Sequence, residues 1–415
     1  MKSFSNLLKI IRSRKATVGI VGMGYVGTAL TEGILKGNYK VIGFDINPNR
    51  IAEINSQFNP NLSATTELSG ISEVNIICIC IPTPLDKNNK PDYSILKEVT
   101  LTVSKYLRIG QMVVVESSVA PGTTKNLIAP ILIKSKLKIG EDFFLAYSPE
   151  RVDPGNGKYT VNNTPKIVSG YEEKSLKLVK LFYGSFVDVI HSVSSLETAE
   201  MTKVLENTFR LVNISLVNEV NQFTKSAGID IWEVIKAAST KPFGFLAHYP
   251  GPGVGGDCIP VLPYHLLEAA KAKNVPLKVV EAAAKVNENQ PKRVANQAIE
   301  LANGKLANGH KLNVLLVGVA YKEETADIRQ SPALKIWKTL SESGLNVSYH
   351  DPYVARVNGS VSRKMNKSTV SEQDLIIITT AHKKIPYGML VRSNKPVIDT
   401  KNILSKYNKA HIIKV

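Results

Sequence analysis

The pattern of apolar and polar positions changes texture twice along the chain. Short β-rich apolar runs at 17–21, 40–44, 75–81, 112–116 and 143–147 alternate with helical periodicity at 28–36 and 94–108. Strands alternating with helices predict a parallel sheet covered on both faces. From about Ser195 the strand signal stops. Residues 196–227 form one helical pattern with neither Pro nor Gly, and helical periodicity continues at 231–239. A Gly/Pro-rich loop at 249–263 interrupts it before it resumes up to Ala302. Strand signals return at 313–317, 346–350, 375–379 and 396–399. The two flanking regions echo each other: Val41–Asp45 by Val347–Asp351, and Ile76–Ile81 by Leu375–Thr380. These shifts predict three domains, 1–195, 196–302 and 303–415, with two α/β folds around an all-helical spacer.

Composition narrows the class. At 415 residues with 43% hydrophobic and 21% charged, the chain has enough apolar material for full cores. No window approaches the roughly 18 apolar residues of a membrane span. The basic, amphipathic start MKSFSNLLKIIRSRK lacks the long apolar run of a secretory signal. Three cysteines, Cys78, Cys80 and Cys258, do not make a disulfide framework, and a reducing cytoplasm is expected. Fifty-two Lys and Arg against 35 Asp and Glu give a charge of +17. No nucleic-acid-binding signature accompanies that charge, so a solvated basic surface that also attracts anionic ligands is expected in place of nucleic acid. No metal site is expected.

Two stretches carry chemistry. Val18-Gly-Ile-Val-Gly22-Met-Gly24-Tyr25-Val26-Gly27 sets G-x-G-x-x-G between an apolar strand and a helix. Gly22 allows the tight turn, Gly24 a close backbone approach to pyrophosphate, and Gly27 close packing of helix on strand. Free N–H groups at the helix start face the phosphates. Asp45 ends the next strand, where an acidic residue binds the adenosine ribose and repels a 2′-phosphate, which favours NAD over NADP. Arg50 adds a cation nearby and tempers that preference. Thr83 ends another strand at the ligand-binding edge of such sheets. Cys78 and Cys80 sit in a buried strand and read as inert core residues.

The second stretch is Gly251-Pro-Gly-Val-Gly-Gly256-Asp257-Cys258-Ile-Pro260. Its glycines let backbone wrap a ligand, and its cysteine precedes a helical segment. Paired with a nicotinamide, a thiol there can trap an aldehyde and carry it to a thioester; a small cysteine in a turn is the alternative. Lys203 and Asn207 lie four residues apart on one helix face, with Arg210 three further. Such a face suits an oxyanion, a water or a phosphate, or is simply solvated.

These motifs in this order resemble the UDP-glucose/GDP-mannose dehydrogenase family. The resemblance is extended by Glu116-Ser-Ser-Val-Ala-Pro-Gly-Thr-Thr124, Ser148-Pro-Glu-Arg-Val-Asp-Pro-Gly155 and Gly318-Val-Ala-Tyr-Lys322-Glu-Glu-Thr-Ala-Asp327-Ile-Arg329-Gln-Ser-Pro332, so it covers nearly the whole chain. It implies two Rossmann-like parallel-sheet domains joined by a long dimer-forming helix. It also implies NAD-dependent, four-electron oxidation of a nucleotide-sugar C6 alcohol to a uronic acid for surface polysaccharide or glycan synthesis. By resemblance, Cys258 is the nucleophile, Lys203 steadies the oxyanion, Asn207 positions sugar or water, and Glu150 serves acid/base work and thioester hydrolysis. Tyr25, Val26, Asp45, Thr83, Ser118 and Arg329 resemble NAD contacts. Arg151, Val152, Arg210, Gly255, Tyr321, Lys322 and Lys401 resemble contacts to the UDP-sugar.

The Ser-Pro-Glu-Arg-Val-Asp-Pro-Gly-Asn run and the basic leader Leu7–Lys15 resemble the branch acting on UDP-N-acetylhexosamines. Pro242-Phe-Gly-Phe with Tyr-Pro-Gly-Pro-Gly resembles the N-acetylglucosamine version more than the N-acetylmannosamine one. Two positions depart from the family. Leu262 stands where many relatives carry Asp, and Asp257 where His is common; both bear on thiol activation. Ser118 replaces a usual Thr and keeps the hydroxyl. Other readings are a UDP-glucose 6-dehydrogenase, a two-electron β-hydroxyacid dehydrogenase and a catalytically impaired nucleotide-sugar-binding protein.

Overall fold

A computed structural model describes residues 2–153, 158–306, 312–407 and 409–414, without side chains at 302–306. Pro154 and Gly155, which end the Ser-Pro-Glu motif, and the Asn156 that follows lie outside the described residues. The chain forms two compact units, Met1–Glu206 with Tyr264–Val275, and Asn207–Pro263 with Pro276–Val415.

The first unit is built on an eight-stranded sheet: β1 (Thr17–Val21), β2 (Lys40–Phe44), β3 (Leu62–Thr65), β4 (Ile76–Ile79), β5 (Met112–Val115), β6 (Phe144–Tyr147), β7 (Lys166–Gly170) and β8 (Ile190–Ser192), in the order β3-β2-β1-β4-β5-β6-β7-β8. Strand direction is parallel except between β6 and β7. That junction departs from the all-parallel expectation, and an antiparallel neighbour needs no crossover helix. Alternate side chains feed two cores. Val18, Ile20, Cys78 and Val114 face one side; Ile77, Ile79, Val113 and Val115 face the other. The basic leader is part of this fold. Helix Lys2–Arg12 buries Leu7 and Ile11 in the first core, beside Tyr183 of helix Glu173–Tyr183.

The second unit holds a five-stranded parallel sheet, with β9 (Asn313–Val317), β10 (Asn346–His350), β13 (Leu375–Ile378), β14 (Val397–Asp399) and β15 (Ile412–Lys414) in the order β10-β9-β13-β14-β15. A small hairpin, β11 (Arg356–Val357) with β12 (Ser360–Val361), follows β10. Helix Lys278–Leu306 lays Val294, Ala295 and Ala298 on one face of this sheet. It contains Pro291 in its interior, which removes one backbone N–H from the helical ladder.

The long helical pattern is a single helix, Leu196–Ser226. Helix Tyr25–Lys36 begins three residues before its expected start, because the glycine turn hides the apolar period of its first turn. Helix Leu262–Lys271 likewise starts inside the expected loop. Among the described residues no helix is long and apolar enough to cross a membrane.

Candidate active site

In the first unit the strand order reverses at β1 and β4, and open α/β sheets bind ligands at such a point, beyond the carboxyl ends of the strands. Gly22 leaves β1 with φ +95°, and a Cβ there would meet the Cys80 carbonyl oxygen at 2.7 Å. A Cβ on Gly27 would lie 2.0 Å from the Gly22 oxygen, whereas one on Gly24 meets nothing within 4 Å. The turn is therefore packed on its inner side and open at Gly24. Gly24 caps helix Tyr25–Lys36 with no side-chain hydrogen bond, leaving that helix start to a ligand. Tyr25 is exposed there, while Val26 packs against the first core.

The Asp45 carboxylate accepts N–H bonds from Met23 (2.8 Å) and Asn47 (2.9 Å), which fixes it beside the turn. Arg50 donates to the Met23 carbonyl (3.0 Å) and to Thr28 Oγ1 (2.7 Å), and pairs with Glu53 (2.6 Å). Its guanidinium braces the glycine turn. An open backbone at Gly24, an uncapped helix start and a carboxylate at the ribose position fit NAD. Past β4 and β5, Thr83 Oγ1 donates to the Ser118 carbonyl (2.6 Å), so these two expected cofactor contacts lie together.

Behind Ser118 the loop is held by groups that the sequence reading missed. The Ala120 N–H donates to the Tyr93 hydroxyl (3.0 Å), which shares a hydrogen bond with His265 Nδ1 (3.1 Å). Burial holds the His265 imidazole down at about 4, so it is neutral near pH 7. Glu200 accepts N–H bonds from Gly122 (2.5 Å) and Thr124 (2.7 Å), tying the helix that bears Lys203 to the same loop. Burial lifts the Glu200 carboxyl to about 7 against those bonds.

Glu150 follows β6 and is 7% exposed. Its Oε1 accepts N–H bonds from Arg151 (2.6 Å) and Val152 (2.7 Å), and its Oε2 meets Lys166 Nζ at 2.8 Å. Burial opposes its charge, but Lys166 and the two amides outweigh burial and hold the carboxyl below the usual range. The Arg151 guanidinium pairs with Glu206 (2.6 Å) and donates to the Pro165 carbonyl (2.7 Å). Lys166 was missed as well; a single Lys at the head of the apolar run Lys-Ile-Val was the available signal. Lys203 is half-buried on its helix.

In the second unit Asn207 is buried and Arg210 exposed on the continuation of that helix. The Cys258 loop is clasped by side chains. Asn218 Oδ1 accepts from the Gly251 N–H (2.9 Å), Gln290 Nε2 donates to the Gly251 carbonyl (2.9 Å), and Asn287 Oδ1 accepts from the Val254 N–H (2.8 Å). A Cβ at Gly253 would lie 3.4 Å from the Pro291 ring and 3.6 Å from the Asn287 carbonyl oxygen. A Cβ at Gly255 would meet the Gln330 carbonyl oxygen at 2.7 Å and Tyr321 Cβ at 2.8 Å, and one at Gly256 the Tyr321 ring at 2.8 Å, so only glycine lets the loop lie this close to Tyr321. The Gly256 N–H donates to the Arg329 carbonyl (2.9 Å). Lys401 Nζ reaches within 3.8 Å of a Cβ placed on Gly251. Burial pushes the Lys401 ammonium down, against the pull of Glu323 and Asp399.

Cys258 is exposed at the end of this loop, while Cys78 and Cys80 are buried. Burial pushes the Cys78 and Cys80 thiols well up, in keeping with inert core residues. The Cys258 carbonyl accepts the Leu262 N–H (2.9 Å) as the following helix begins. Leu262 is 1% exposed, a packed apolar position. Asp257, beside the thiol, pairs with Arg329, which also grips Asp327. The carboxylate next to Cys258 is thus offset by a cation. Burial raises the Asp257 carboxyl against that pairing. The second unit therefore gathers Gly255, Tyr321, Arg329 and Lys401 around the Cys258 loop, with half-buried Lys322 following Tyr321 in sequence.

Comparison with known proteins agrees with both units. Three domains of the UDP-glucose/GDP-mannose dehydrogenase family match in order: the NAD binding domain over 57–187, the central domain over 197–289 and the UDP binding domain over 315–406. Protein CapL of Staphylococcus aureus is 36% identical, covering 94% of this chain and 96% of that protein. A UDP-N-acetyl-D-glucosamine 6-dehydrogenase of Pseudomonas aeruginosa is 34% identical over 81% of this chain and 83% of its own length. The solved structure of a UDP-D-ManNAc dehydrogenase from Pyrococcus horikoshii superposes with a TM-score of 0.87 at 31% identity, covering 96% of this chain and 99% of that one. The chain belongs to the UDP-glucose/GDP-mannose dehydrogenase family and is an NAD-dependent nucleotide-sugar dehydrogenase.

Proposed function

We propose that the protein oxidises the C6 hydroxyl of a UDP-N-acetylhexosamine to the uronic acid in two two-electron steps. UDP-N-acetylglucosamine is the first candidate and UDP-N-acetylmannosamine the second. The observation that carries this reading is the exposed Cys258 in a glycine loop packed on Tyr321 within the unit that holds the UDP-binding match. NAD supplies the hydride acceptor. In the first step the hydroxyl loses its proton and C6 loses a hydride, giving the aldehyde. The Cys258 thiolate adds to that carbon, and the new alkoxide takes a proton. Loss of this proton and a second hydride gives the thioester. Water then attacks, its proton passes to Glu150, and the C–S bond breaks with the electron pair returning to sulfur.

Lys203 steadies the oxyanion at C6 and Asn207 positions the sugar or the water. Lys322, Lys401, Arg151 and Arg210 supply cations for the diphosphate, with Val152, Gly255 and Tyr321 as neutral contacts. Tyr25, Val26, Thr83, Ser118 and Arg329 flank NAD. The product is an anionic sugar donor suited to a surface polysaccharide or glycan. The reading requires thiol and nicotinamide to reach one carbon. A panel of UDP-sugars with NAD⁺ tests it. The expected result is two NADH per sugar and a product heavier by one oxygen and lighter by two hydrogens. One NADH per sugar would sink it, and turnover of UDP-glucose alone would move the substrate to the plain hexose.

We also infer a homodimer. Phe209, Leu216, Val220 and Phe223 are exposed on helix Leu196–Ser226 at the seven-four-three spacing of a self-pairing seam. A monomer by sedimentation at micromolar concentration would exclude it.

A further inference from the structure

Three charges are buried where β5, β6 and β7 lie side by side. Lys166 opens β7 and is 2% exposed; its Nζ stands 2.8 Å from Glu116 Oε2 and 2.8 Å from Glu150 Oε2. Glu116, 1% exposed, follows β5 and takes a hydrogen bond from the Tyr183 hydroxyl. Lys166 also lies 5.1 Å from the centroid of the Tyr183 ring. One ammonium thus serves two carboxylates.

This arrangement is costly for the fold. Burying an ion costs several kcal/mol, and packed apolar side chains do as well or better. Its neighbours are otherwise core: Cys78 from β4, Cys80 just beyond it, and the aromatic ring of Tyr183. Burial pushes all three of these titrating groups upward, so they stay neutral near pH 7. The two carboxylates stand apart from each other. Burial lifts Glu116 to about 7, with Lys166 opposing it. Glu150 has two amide donors that Glu116 lacks and is held low. Burial alone would lower Lys166, but the carboxylates overturn it and keep the ammonium charged. Environments that separate two neighbouring carboxyls in this way mark an acid/base assignment.

We propose that Lys166 is a positioning residue for thioester hydrolysis: shared between Glu116 and Glu150, it fixes the Glu150 carboxylate in one rotamer and keeps it charged to accept the proton of the attacking water. Glu116 is the counter-carboxylate that anchors the ammonium and holds it in reach of Glu150. The proposal rests on the reading of Glu150 as the hydrolytic base.

The test uses the full-length enzyme with NAD⁺ and the UDP-sugar that turns over, and compares Lys166→Met, Lys166→Arg and Glu150→Gln. With Lys166→Met, kcat falls about 10²-fold; KM for the UDP-sugar falls with it because acyl-enzyme accumulates, so kcat/KM and the Kd for NAD stay within about twofold. A burst of two NADH per site precedes slow turnover, and mass spectrometry finds the acyl group on Cys258. The acid limb of the kcat profile moves to higher pH, because the uncharged neighbour lets Glu150 take a proton sooner. Lys166→Arg restores most of kcat. The double variant Lys166→Met/Glu116→Gln removes one charge of each sign; should the single variant not fold, the same burst is expected from it. A fall in kcat/KM without acyl-enzyme in Lys166→Met or the double variant, with the burst intact in Glu150→Gln, overturns the role of Lys166 alone. Wild-type turnover by Glu150→Gln overturns the Glu150 reading itself.

Discussion

The two α/β folds begin alike and then diverge. Gly22 after β1 and Gly318 after β9 both take positive φ, +95° and +84°. Each donates its N–H at 2.8 Å to the last residue of the neighbouring strand, Phe44 or His350. A Cβ on either would strike a carbonyl oxygen just past the next strand, of Cys80 at 2.7 Å or Thr380 at 2.3 Å. An aspartate follows the second strand in both. Asp45 accepts the Met23 N–H at 2.8 Å, and Asp351 the Val319 N–H at 2.7 Å.

The difference lies in what is left over. After Gly22 a helix starts within three residues, at Tyr25, and its N-terminus faces the turn. After Gly318 the chain wanders until helix Pro332–Glu342, so no helix start is offered to a phosphate. Asp45 keeps acceptor capacity for ribose hydroxyls. Asp351 spends its carboxylate on the N–H groups of Val319, Ala320, Tyr353 and Val354 and on His382 Nε2 at 3.1 Å. One frame thus yields a dinucleotide site in the first unit and a structural lock in the second.

The largest test of that contrast is Gly27→Val. The added side chain would clash with the Gly22 carbonyl, a strain of about 3 kcal/mol or more. NAD binding by calorimetry should vanish while UDP binding persists. Loss of both would mean that the units do not divide these tasks. Next comes Asp351→Asn, which leaves amides and His382 poorly matched. Unfolding by urea should show a loss of about 3 kcal/mol with unchanged Kd for NAD. Asp351 is held at about 2, mainly by His382 and backbone amides against the cost of burial. The wild-type protein should therefore lose stability as pH falls from about 4 through about 2, and the variant should lack that component. A smaller change is expected from Asp45→Asn and Lys401→Met. Each should weaken one ligand about tenfold, ~1.4 kcal/mol: NAD for the first, UDP for the second. Crossed effects would erase the distinction. Smallest is Arg50→Gln, with a stability change of about 0.5 kcal/mol. Its NAD-to-NADP preference should not move; a marked shift would make Arg50 a cofactor reader rather than a brace.

Most of the frame was legible because its signals are local. Apolar runs marked nine strands to within two residues, and the absence of Pro and Gly marked helix Leu196–Ser226. Strands β3, β7, β8, β11, β12 and β15 were missed; each is short, and β7 opens with a buried Lys whose charge masks the period. The glycine turn, Asp45 and the Cys258 loop could be read because special backbone or reactive chemistry needs particular residue types. The partners behind them could not. Lys166 with Glu116, Tyr93 with His265, and Arg329 with Asp257 join residues 50, 172 and 72 positions apart. Only folding makes such pairs, and no spacing rule announces them.

Pro291 carries a last lesson for anyone who would engineer this scaffold. Helix-propensity rules mark it for replacement by alanine, a nominal gain of about 3 kcal/mol. Yet the missing N–H leaves the Asn287 carbonyl without its helical donor, beside the ring on which Gly253 rests. Straightening the helix there would remove the shelf under the Cys258 loop, so a sturdier rod would come with a slacker loop.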